Sequence, residues 1–493
     1  MIIVIRNIRR QPLLSGINII GLSTAIGCCL LVYAFLDMVY YRDTFHEHAN
    51  RIFMVEYTID REGRTQTWGY APPALGPALK TDFPQVVDAV RIIEGRTTVR
   101  FEDRVFDERI LYVDPGFFDT FTFPLKYGNP DALSDRAGVV LSEETAVKYF
   151  GDEDPIGQLM TFTVNDKITQ PGVVKAVAGK QPQDASFRFD MLLPYDRQAD
   201  FGLENRDGWD ELMGGTFIRV NTPQDIEVLR DEMDRYISLQ NATNPDWSVT
   251  AFLFDNILNL SENRHLIRGG IIKGGADPAT RGILLWLAIC VMALACFNYI
   301  NVAIASASKR LKEIGIRKAV GSHRSQVIIQ FLMENTILCA MALICGLWIG
   351  KYIFVPTFAL LFGGVILEVD LLANTRIWLF MLGMLIITTV TSGIYPAYYI
   401  SAYQPVAIFH GNQNRGGKNL FTRILLSVQF VLSFVLISLS AGLYHNVRYF
   451  EARDWGYSQE NLITVPFDDE RQFTLFSAAT ARHADIEMTA GSR

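Results

Sequence analysis

Residues 411–418 are the part of the sequence that comes nearest to a nucleotide-binding loop. They read GNQNRGGK, against the GxxxxGK[ST] pattern that cradles nucleotide phosphates between a strand and a helix. Gly417 stands where the lysine should be, and Lys418 is followed by Asn419 rather than by Ser or Thr. The segment also follows an apolar run instead of a strand. We therefore predict that this chain has no ATPase of its own.

His46, Glu47 and His48 form the nearest approach to a metal site. Two histidines separated by one residue and without a third ligand nearby are weak evidence, and the HExxH pattern is not matched. The seven histidines are scattered, so no Ser/His/Asp or Cys/His arrangement is predicted. We expect a solvated segment here, no metal site, no cofactor in this chain and no catalytic residues.

Residues 306–326, SASKRLKEIGIRKAVGSHRSQ, carry the strongest charge pattern. Glu313 and Arg317 are four apart and can pair on a helix, and Gly321 is placed to end it. The pattern predicts a short amphipathic helix. It fits either a basic loop at the membrane surface or a docking element for a cytoplasmic partner, and charge alone does not separate the two.

Three polar residues stand inside apolar runs. Asn298 and Asn301, one helical turn apart, can hydrogen-bond to a neighbouring helix. Glu334 is an acid inside a predicted span, and such a residue often has a function. Its position near the cytoplasmic surface favours the alternative that its side chain snorkels to that surface or pairs with Lys or Arg. Gly346 and Gly350 could let two helices approach closely, or could be ordinary small residues of a span.

The composition indicates a membrane protein. Hydrophobic residues make up 49% of the 493 and charged residues only 20%, and the net charge of −7 argues against a nucleic-acid binder. Five runs are long enough to cross a bilayer, which takes about 20 apolar residues. They are 17–40, 282–306, 327–350, 377–400 and 424–446. We interpret the first as a retained span rather than a cleaved signal peptide.

Charge predicts the orientation of these spans. Residues 41–280 hold 25 Lys and Arg against 39 Asp and Glu, whereas the short loops 307–326 and 401–423 are basic. Basic short loops stay in the cytoplasm, and long domains can be translocated whatever their charge. The N-terminus is then cytoplasmic and 41–280 extracytoplasmic.

The region 41–280 is predicted to be a mixed α/β domain. Strand-like runs are 52–59, 159–164, 173–178 and 216–220. Helical runs are 74–81, 142–150 and 223–239, the last with Thr222 as its cap and Pro223 in its first turn. The predicted fold is an α-helical integral membrane protein with this large domain inserted between its first two transmembrane helices.

Residues 298–334 resemble the signature of FtsX/MacB-type ABC transporter permeases. That signature runs N-(F/Y)-(I/V)-N, then a small-residue helix, then K-R-x-x-E-(I/V)-G-(I/V)-R-K-x-x-G. Here its positions are Asn298, Asn301, Lys309, Arg310, Glu313, Gly315, Arg317, Lys318 and Gly321. Further segments resemble the family's first span, extracytoplasmic core domain and fourth span, namely 6–27, 113–128, 139–157 and 394–411.

Residues 420–467 resemble the start of a second copy of the same unit. We expect a tandem-repeat form that is truncated in its second repeat. The expected division is a cytoplasmic N-terminus with the first span (1–40), the extracytoplasmic domain (41–280), a three-helix permease domain (281–410) with its coupling loop (307–326), a linker with the fifth span (411–446) and an incomplete second outer domain (447–493).

The resemblance implies a function in the bacterial cytoplasmic membrane. A separate cytoplasmic ABC ATPase, holding ATP and Mg, would dock on the coupling loop, and its cycle would move the extracytoplasmic domain for export or for lipoprotein or peptide release. The implied ATPase-coupling residues are Lys309, Arg310, Glu313, Gly315, Arg317, Lys318 and Gly321. A second permease chain, a periplasmic adaptor or cargo, and the lipid bilayer are the further expected partners.

The alternative class is a membrane-anchored receptor or scaffold with an outer sensing domain and no ATP coupling. It would have a similar composition, but it has no need of the EIGIRK segment or of a repeat. An intramembrane enzyme is a weaker alternative, because it would need paired catalytic groups in the spans beyond Glu334 and the two asparagines.

Overall fold

The structure is a computed structural model. It describes residues 12–61, 63–164, 168–201, 208–212, 214–272, 275, 277–308, 315–316, 320, 322–361, 367, 369–371, 374–401, 420–453, 465, 470–481, 483, 486 and 488–490. These fall into two compact units, 1–429 and 430–493.

The described α-helices are numbered in chain order. They are α1 Pro12–Tyr40, α2 Leu75–Asp82, α3 Phe117–Thr120, α4 Glu143–Phe150, α5 Asp225–Asp231, α6 Asp234–Thr243, α7 Leu260–Asn263, α8 Pro278–Ser308, α9 Arg324–Ile349, α10 Val355–Leu361, α11 Thr375–Ser401, α12 Leu420–Glu451 and α13 Glu470–Thr480. A π-helical turn over Gly350–Phe354 joins α9 to α10.

The described strands form a single 12-stranded mixed sheet. They are β1 Ile52–Arg61, β2 Arg64–Trp68, β3 Val86–Phe101, β4 Arg104–Val113, β5 Leu125–Gly128, β6 Gly138–Leu141, β7 Leu159–Val164, β8 Ile168–Ala178, β9 Met191–Pro194, β10 Gly215–Val220, β11 Ala251–Asn256 and β12 Ile267–Arg268. The main path is β12-β2-β1-β10-β3-β4-β9-β6-β8-β5, with β11 on β1 and with β7 on β3 and β8.

Strand β1 shows why this sheet has a core on both faces. Its first eight residues are all buried, and six of them are apolar. Because side chains alternate along a strand, Ile52 and Met54 enter one apolar cluster while Phe53 and Val55 enter another. A third cluster lies under α4, around Tyr149. We call the part of the chain between α1 and α8 the outer domain. These three clusters form its hydrophobic core.

One predicted helix of the outer domain differs from the structure. The run 223–239 was expected to form one helix capped by Thr222, but the structure has two helices, α5 and α6. Glu232 leaves the helical conformation (φ −102°, ψ 7°) and so ends the first helix. Leu229, Met233 and Tyr236 keep the spacing of one helical face and lie in the same apolar cluster on both sides of the break. Thr222 was expected to cap the helix with its side chain. In the structure the Asp225 carboxylate instead accepts a 2.7 Å hydrogen bond from the Thr222 backbone amide.

The described residues contain five helices that are long and apolar enough to cross a membrane. Each predicted run lies inside one of them, except that 377–400 extends two residues beyond Tyr398, where that candidate span ends. Among the first four, α1 is the central helix, since 56% of its most apolar window is buried against 22–33% for the others. It packs against α8, α9 and α11 through two apolar clusters that include Leu22, Ile26 and Leu30.

Candidate functional site

The predicted coupling loop lies between α8 and α9. Most of the residues predicted to couple to an ATPase lie outside the described part of the chain, namely Lys309, Arg310, Glu313, Arg317, Lys318 and Gly321. Gly315 is described: it is helical and buried. Their predicted roles therefore stay predictions.

Two exposed apolar side chains stand beside Gly315. Ile316 is 54% exposed and Val320 is 84% exposed, and the Val320 amide donates a 3.0 Å hydrogen bond to the Ile316 carbonyl. They are four residues apart, so on a helical turn they lie on the same side. The charges of this segment were the basis of the prediction, and this apolar pair was not predicted, although its spacing of four residues fits the 3.6-residue helical period.

The far end of the coupling loop is held by α9 and α11. At the start of α9 the His323 amide donates to the Gln326 side-chain carbonyl at 3.0 Å, which satisfies one free donor of the helix end. Arg324 donates from Nε to the Ser401 hydroxyl at 3.0 Å, and its guanidinium lies 4.6 Å from the centre of the Tyr398 ring. These contacts join the first turn of α9 to the last turns of α11.

The two asparagines of α8 face different neighbouring helices. The amide of Asn298 lies against α1, 3.9 Å from where a side chain at Gly21 would begin. The Asn301 amide nitrogen donates to Gln429 Oε1 on α12 at 3.2 Å. An interhelical hydrogen bond of this kind is worth about 0.6 kcal/mol on average in membranes.

Glu334 and its neighbour Asn335 make different contacts. Glu334 is half-buried and accepts a 3.1 Å hydrogen bond from Gln330 in the preceding turn. Asn335 is fully buried and donates to the Thr389 carbonyl at 2.9 Å and to the Ser392 hydroxyl at 3.1 Å. Sequence analysis missed Asn335, whose only signal was an amide in an apolar run.

Gly346 and Gly350 lie where α9 crosses α1. A Cβ added at Gly346 would lie 2.9 Å from the Cβ of Ile26, and one added at Gly350 would lie 3.2 Å from the carbonyl oxygen of Gly27. A Cβ added at Gly27 would likewise lie 3.1 Å from the Gly346 carbonyl oxygen. Of the two interpretations of this glycine pair, the structure therefore favours close helix approach.

The segment after α1 meets the outer domain through buried polar groups. Asp43 is fully buried and adopts a left-handed conformation (φ 58°), which Asp tolerates better than most residues and which turns the chain out of α1. Its carboxylate accepts hydrogen bonds from the Ser186 amide, at 2.7 Å, and from the Ser186 hydroxyl. We call Arg42, Asp43, His46, Asp184 and Ser186 the junction cluster.

His46 is buried, so the predicted solvated segment is wrong at this residue. Its ring packs on Phe45, Phe121 and Phe123 with centroid distances of 4.0, 5.5 and 5.6 Å. Its Nδ1 accepts a 3.0 Å hydrogen bond from the Thr122 amide, so that nitrogen is already engaged. The aromatic pocket could not be detected from the sequence because two of its rings, Phe121 and Phe123, come from a segment more than 70 residues away.

Burial controls the charges of the junction cluster. It raises the pKa of Asp43 to about 7, against the opposing effect of the Ser186 hydrogen bonds, and it also raises the pKa of Asp184. It lowers the pKa of His46 to about 4, so the imidazole is neutral near pH 7. Although His46 Nε2 lies 3.9 Å from Asp43 Oδ1, a neutral ring makes no ion pair there.

Two family models match the chain in succession. The MacB-like periplasmic core domain matches residues 15–236, and the FtsX-like permease C-terminal model matches residues 285–405. Together they cover more than two thirds of the 493 residues.

Relatives of known sequence agree with these matches. An uncharacterized ABC transporter permease, YknZ of Bacillus subtilis, is 23% identical over 257 residues, which cover 51% of this chain and 58% of the relative. The macrolide export ATP-binding/permease protein MacB of Bdellovibrio bacteriovorus is 21% identical over 277 residues, or 55% of this chain and 40% of the relative. The chain thus spans about half the length of the curated relatives it matches.

A solved structure is also similar to part of the chain. The periplasmic region of MacB from Actinobacillus actinomycetemcomitans is 16% identical, covers 44% of this chain and 94% of its own, and gives a TM-score of 0.31. From its two successive domains and its relatives, the chain belongs to the FtsX/MacB-type family of ABC transporter permeases.

Proposed function

We propose that this chain is the permease subunit of an ABC transporter, which couples ATP hydrolysis by a separate cytoplasmic ATPase to movement of its extracytoplasmic domain. The observation that carries the proposal is the order of the two family domains. The FtsX-like match, residues 285–405, includes the basic coupling loop 307–326, and the MacB-like match precedes it. A receptor or scaffold has no need of that loop.

In this proposal the coupling loop is the docking surface for the ATPase. Glu313 and Arg317 form a paired brace, and Gly315 and Gly321 serve as close-approach or cap positions. The docking charges are Lys309, Arg310 and Lys318. A docking helix benefits from apolar contact as well as charge, because burial of apolar surface is the dominant favourable term in most protein–protein association.

Ile316 and Val320 are suited to that apolar contact. Both are exposed although both are apolar, and they occupy one helical turn beside Gly315. A partner that covers them would remove apolar surface from water, which is worth about 25 cal/mol per Å². The basic residues around them would steer an acidic patch of the partner.

The proposed topology follows the distribution of charge. The N-terminus and the coupling loop are cytoplasmic. The outer domain is inserted between α1 and α8 and lies outside the bacterial cytoplasmic membrane. The domain boundaries are those predicted in the sequence analysis. The acidic balance of 41–280 and the basic loops support this orientation.

The chemistry of ATP is assigned to the partner. ATP and Mg are bound by the ATPase, and this chain is a non-catalytic transmembrane subunit that holds no cofactor. A second permease chain and a periplasmic adaptor or cargo complete the proposed assembly, which acts in export or in lipoprotein or peptide release. The 411–418 segment supports the assignment of ATP binding to the partner, because Gly417 stands where the phosphate-binding pattern requires a lysine.

The test is purification from native membranes in mild detergent, followed by mass spectrometry of the proteins that accompany the chain. We expect a Walker-A ATPase in fixed proportion, and its loss in Glu313→Lys. The matched control is Glu227→Lys, which makes the same charge change at an exposed position of the outer domain.

The outcomes separate the two function classes. An ATPase retained by Glu227→Lys and lost from Glu313→Lys supports the docking site. A chain that is folded and inserted but brings no ATPase overturns the proposal and favours the receptor or scaffold class.

A further inference from the structure

The outer domain contains a cleft that takes no part in the proposed docking of an ATPase. It lies between α2, the start of β3, α3 and the 3₁₀ turn Pro130–Ser134, and its volume is about 380 Å³. Leu79 of α2 belongs to one apolar cluster of the domain and Phe117 of α3 to another, so the cleft lies between two separately packed parts. The volume is within the range of small-molecule sites, roughly 300–1,000 Å³.

Asp88 places a buried carboxylate against this cleft. It lines the cleft although it is only 6% exposed. Its Oδ1 accepts from Lys80 Nζ at 2.7 Å and from the Ala89 amide at 2.9 Å, whereas its Oδ2 accepts no hydrogen bond from a described residue. Gly116 makes room for Oδ2, because a Cβ added there would collide with that oxygen. A buried carboxylate oxygen without a donor costs free energy, so Oδ2 favours a ligand that brings one.

Two further carboxylates line the same cleft from exposed positions. Asp119 lies on α3 and Asp131 on the 3₁₀ turn, and neither forms an ion pair with a described residue. The remaining acids are matched by cations, since Asp88 has its lysine and Asp114 pairs with Arg91 at 2.8 Å. The cleft therefore keeps an excess of negative charge, which attracts a cation.

The arrangement favours an organic cation over a metal ion. Among the described residues, no group of three His, Cys, Asp or Glu side chains could hold a metal. The carboxylates are instead spread around a cleft whose other walls include Pro77, Phe118 and Pro130. Lys80 already shows the contact that an ammonium makes here, because its half-exposed Nζ lies 2.7 Å from Asp88. Charge-assisted hydrogen bonds of this kind are roughly twice as strong as neutral ones.

We propose that this cleft binds an ammonium group carried on an apolar body. Asp88 Oδ2, Asp119 and Asp131 hold the ammonium, and Phe118 packs on the apolar part, which thereby leaves water. A free amine and the lysine side chain of an extended peptide share this chemistry. The site belongs to the outer domain alone and goes beyond the proposed coupling to an ATPase.

The test measures binding to the full chain in lipid nanodiscs without any ATPase. Saturation-transfer difference NMR is used, with empty nanodiscs as the blank. The ammonium probes are 2-phenylethylamine and an acetylated, amidated phenylalanyl-lysine, and 2-phenylethanol is the matched uncharged probe. We expect saturable binding of an ammonium probe and at least fivefold weaker binding of 2-phenylethanol. Tighter binding of the amine identifies a free amine as the ligand, and tighter binding of the dipeptide identifies a lysine side chain.

Variants test the carboxylates. Asp119→Asn combined with Asp131→Asn removes two exposed charges at almost constant size and should weaken binding of the ammonium probes at least fivefold. Asp231→Asn removes an exposed carboxylate of α5 that does not line the cleft, and it should leave the affinity unchanged. Equal affinities of the double variant and Asp231→Asn, equal binding of 2-phenylethanol and the amine, or no binding of either ammonium probe would overturn the proposal.

Hydrogen exchange of the unmodified chain locates the bound probe and needs no variant. With a saturating ammonium probe, the amides of 114–134 should exchange at least twofold more slowly, while those of α6 should not change. A probe that binds without slowing 114–134 binds elsewhere and overturns this site. Because no ATPase is present, failure to find an ATPase partner in the purification leaves the result standing. A chain that brings an ATPase but binds neither probe loses this site alone.

Discussion

The carboxylate of Asp43 accepts two hydrogen bonds from Ser186, a residue 143 positions further along the chain, and so joins the end of a membrane helix to a loop of the outer domain. Asp43 is fully buried, so no solvent competes for these hydrogen bonds. The chain therefore enters the outer domain through a fixed contact rather than through a linker.

The first prediction concerns Glu56, a buried carboxyl of β1. Burial and the nearby Asp255 raise the pKa of Glu56 from 4.5 to about 8, and its Oε1 has no partner among the described residues. The folded state then binds this proton more tightly than the unfolded chain. The stabilising contribution is complete below about pH 4.5 and is lost as the pH rises through about 8.

Glu56→Gln should remove that dependence. At pH 7 the variant should be more stable than the unmodified chain by up to roughly 3 kcal/mol, at about 1.4 kcal/mol per pKa unit. Thermal unfolding followed by tryptophan fluorescence at pH 5, 7 and 9 measures it. The difference in Tm between Glu56→Gln and the unmodified chain should increase with pH. The difference between the exposed control Glu227→Gln and the unmodified chain should stay constant. A Glu56→Gln gap that does not change with pH contradicts the assignment.

The second prediction concerns the crossing of α1 and α9. Gly346→Val places side-chain atoms where a Cβ alone already comes within 2.9 Å of Ile26, so it should cost about 1–3 kcal/mol by overpacking. In α11, Gly383 has nothing within 4 Å of an added Cβ, and Gly383→Val is the matched control. The midpoint of thermal unfolding in detergent should fall for the first variant only. Equal midpoints would show that the helices do not touch at Gly346.

The third prediction concerns the bond between Asn301 and Gln429. A double-mutant cycle with Asn301→Leu and Gln429→Leu should give a coupling energy of about 0.6 kcal/mol, the average for such pairs in membranes. Unfolding free energies of the four proteins in mixed micelles measure it. Additive effects would mean that the two amides do not interact in the membrane.

The sequence predicted the parts of this fold that depend on local pattern. The run 282–306 contains no charge and could only be a span or a buried core, and it lies inside one of the five long apolar helices of the structure. The hydrogen bonds between Asp43 and Ser186 could not be predicted, because no local sequence pattern links the two residues. His46 was expected in solvent because no third metal ligand stands near it and His48 in the sequence, whereas Phe121 and Phe123, which enclose its ring, come from a distant segment.

The same limit applies to the candidate site. The charges of the coupling loop and the pair Gly346 and Gly350 were visible as patterns, but Gly27 on α1, which the pair contacts, was not. Asn335 and Ser392 likewise become a pair only when α9 and α11 pack. Sequence patterns predict the helices and strands, whereas the contacts between them depend on how elements far apart in the sequence pack.

The fourth prediction concerns the exposed apolar pair of the coupling loop. Val320→Asp places a charge on a side chain that is 84% exposed, so the chain should fold normally, but an ATPase that buries this position should bind at least tenfold more weakly. Quantitative mass spectrometry of the purified complex measures the ratio of the two proteins. The control is Val228→Asp on the outer domain, where Val228 is 46% exposed. An unchanged ratio in Val320→Asp would place the docking surface elsewhere.

The central claim is that nucleotide in a cytoplasmic partner moves the outer domain. The most direct measurement is hydrogen exchange of the outer domain in the purified complex, held in nanodiscs without nucleotide, with ATP, or with a non-hydrolysable ATP analogue. We predict that exchange in the outer domain changes between these states, and that the chain without the ATPase shows no such change. Outer-domain exchange that is the same in all three states would contradict the account.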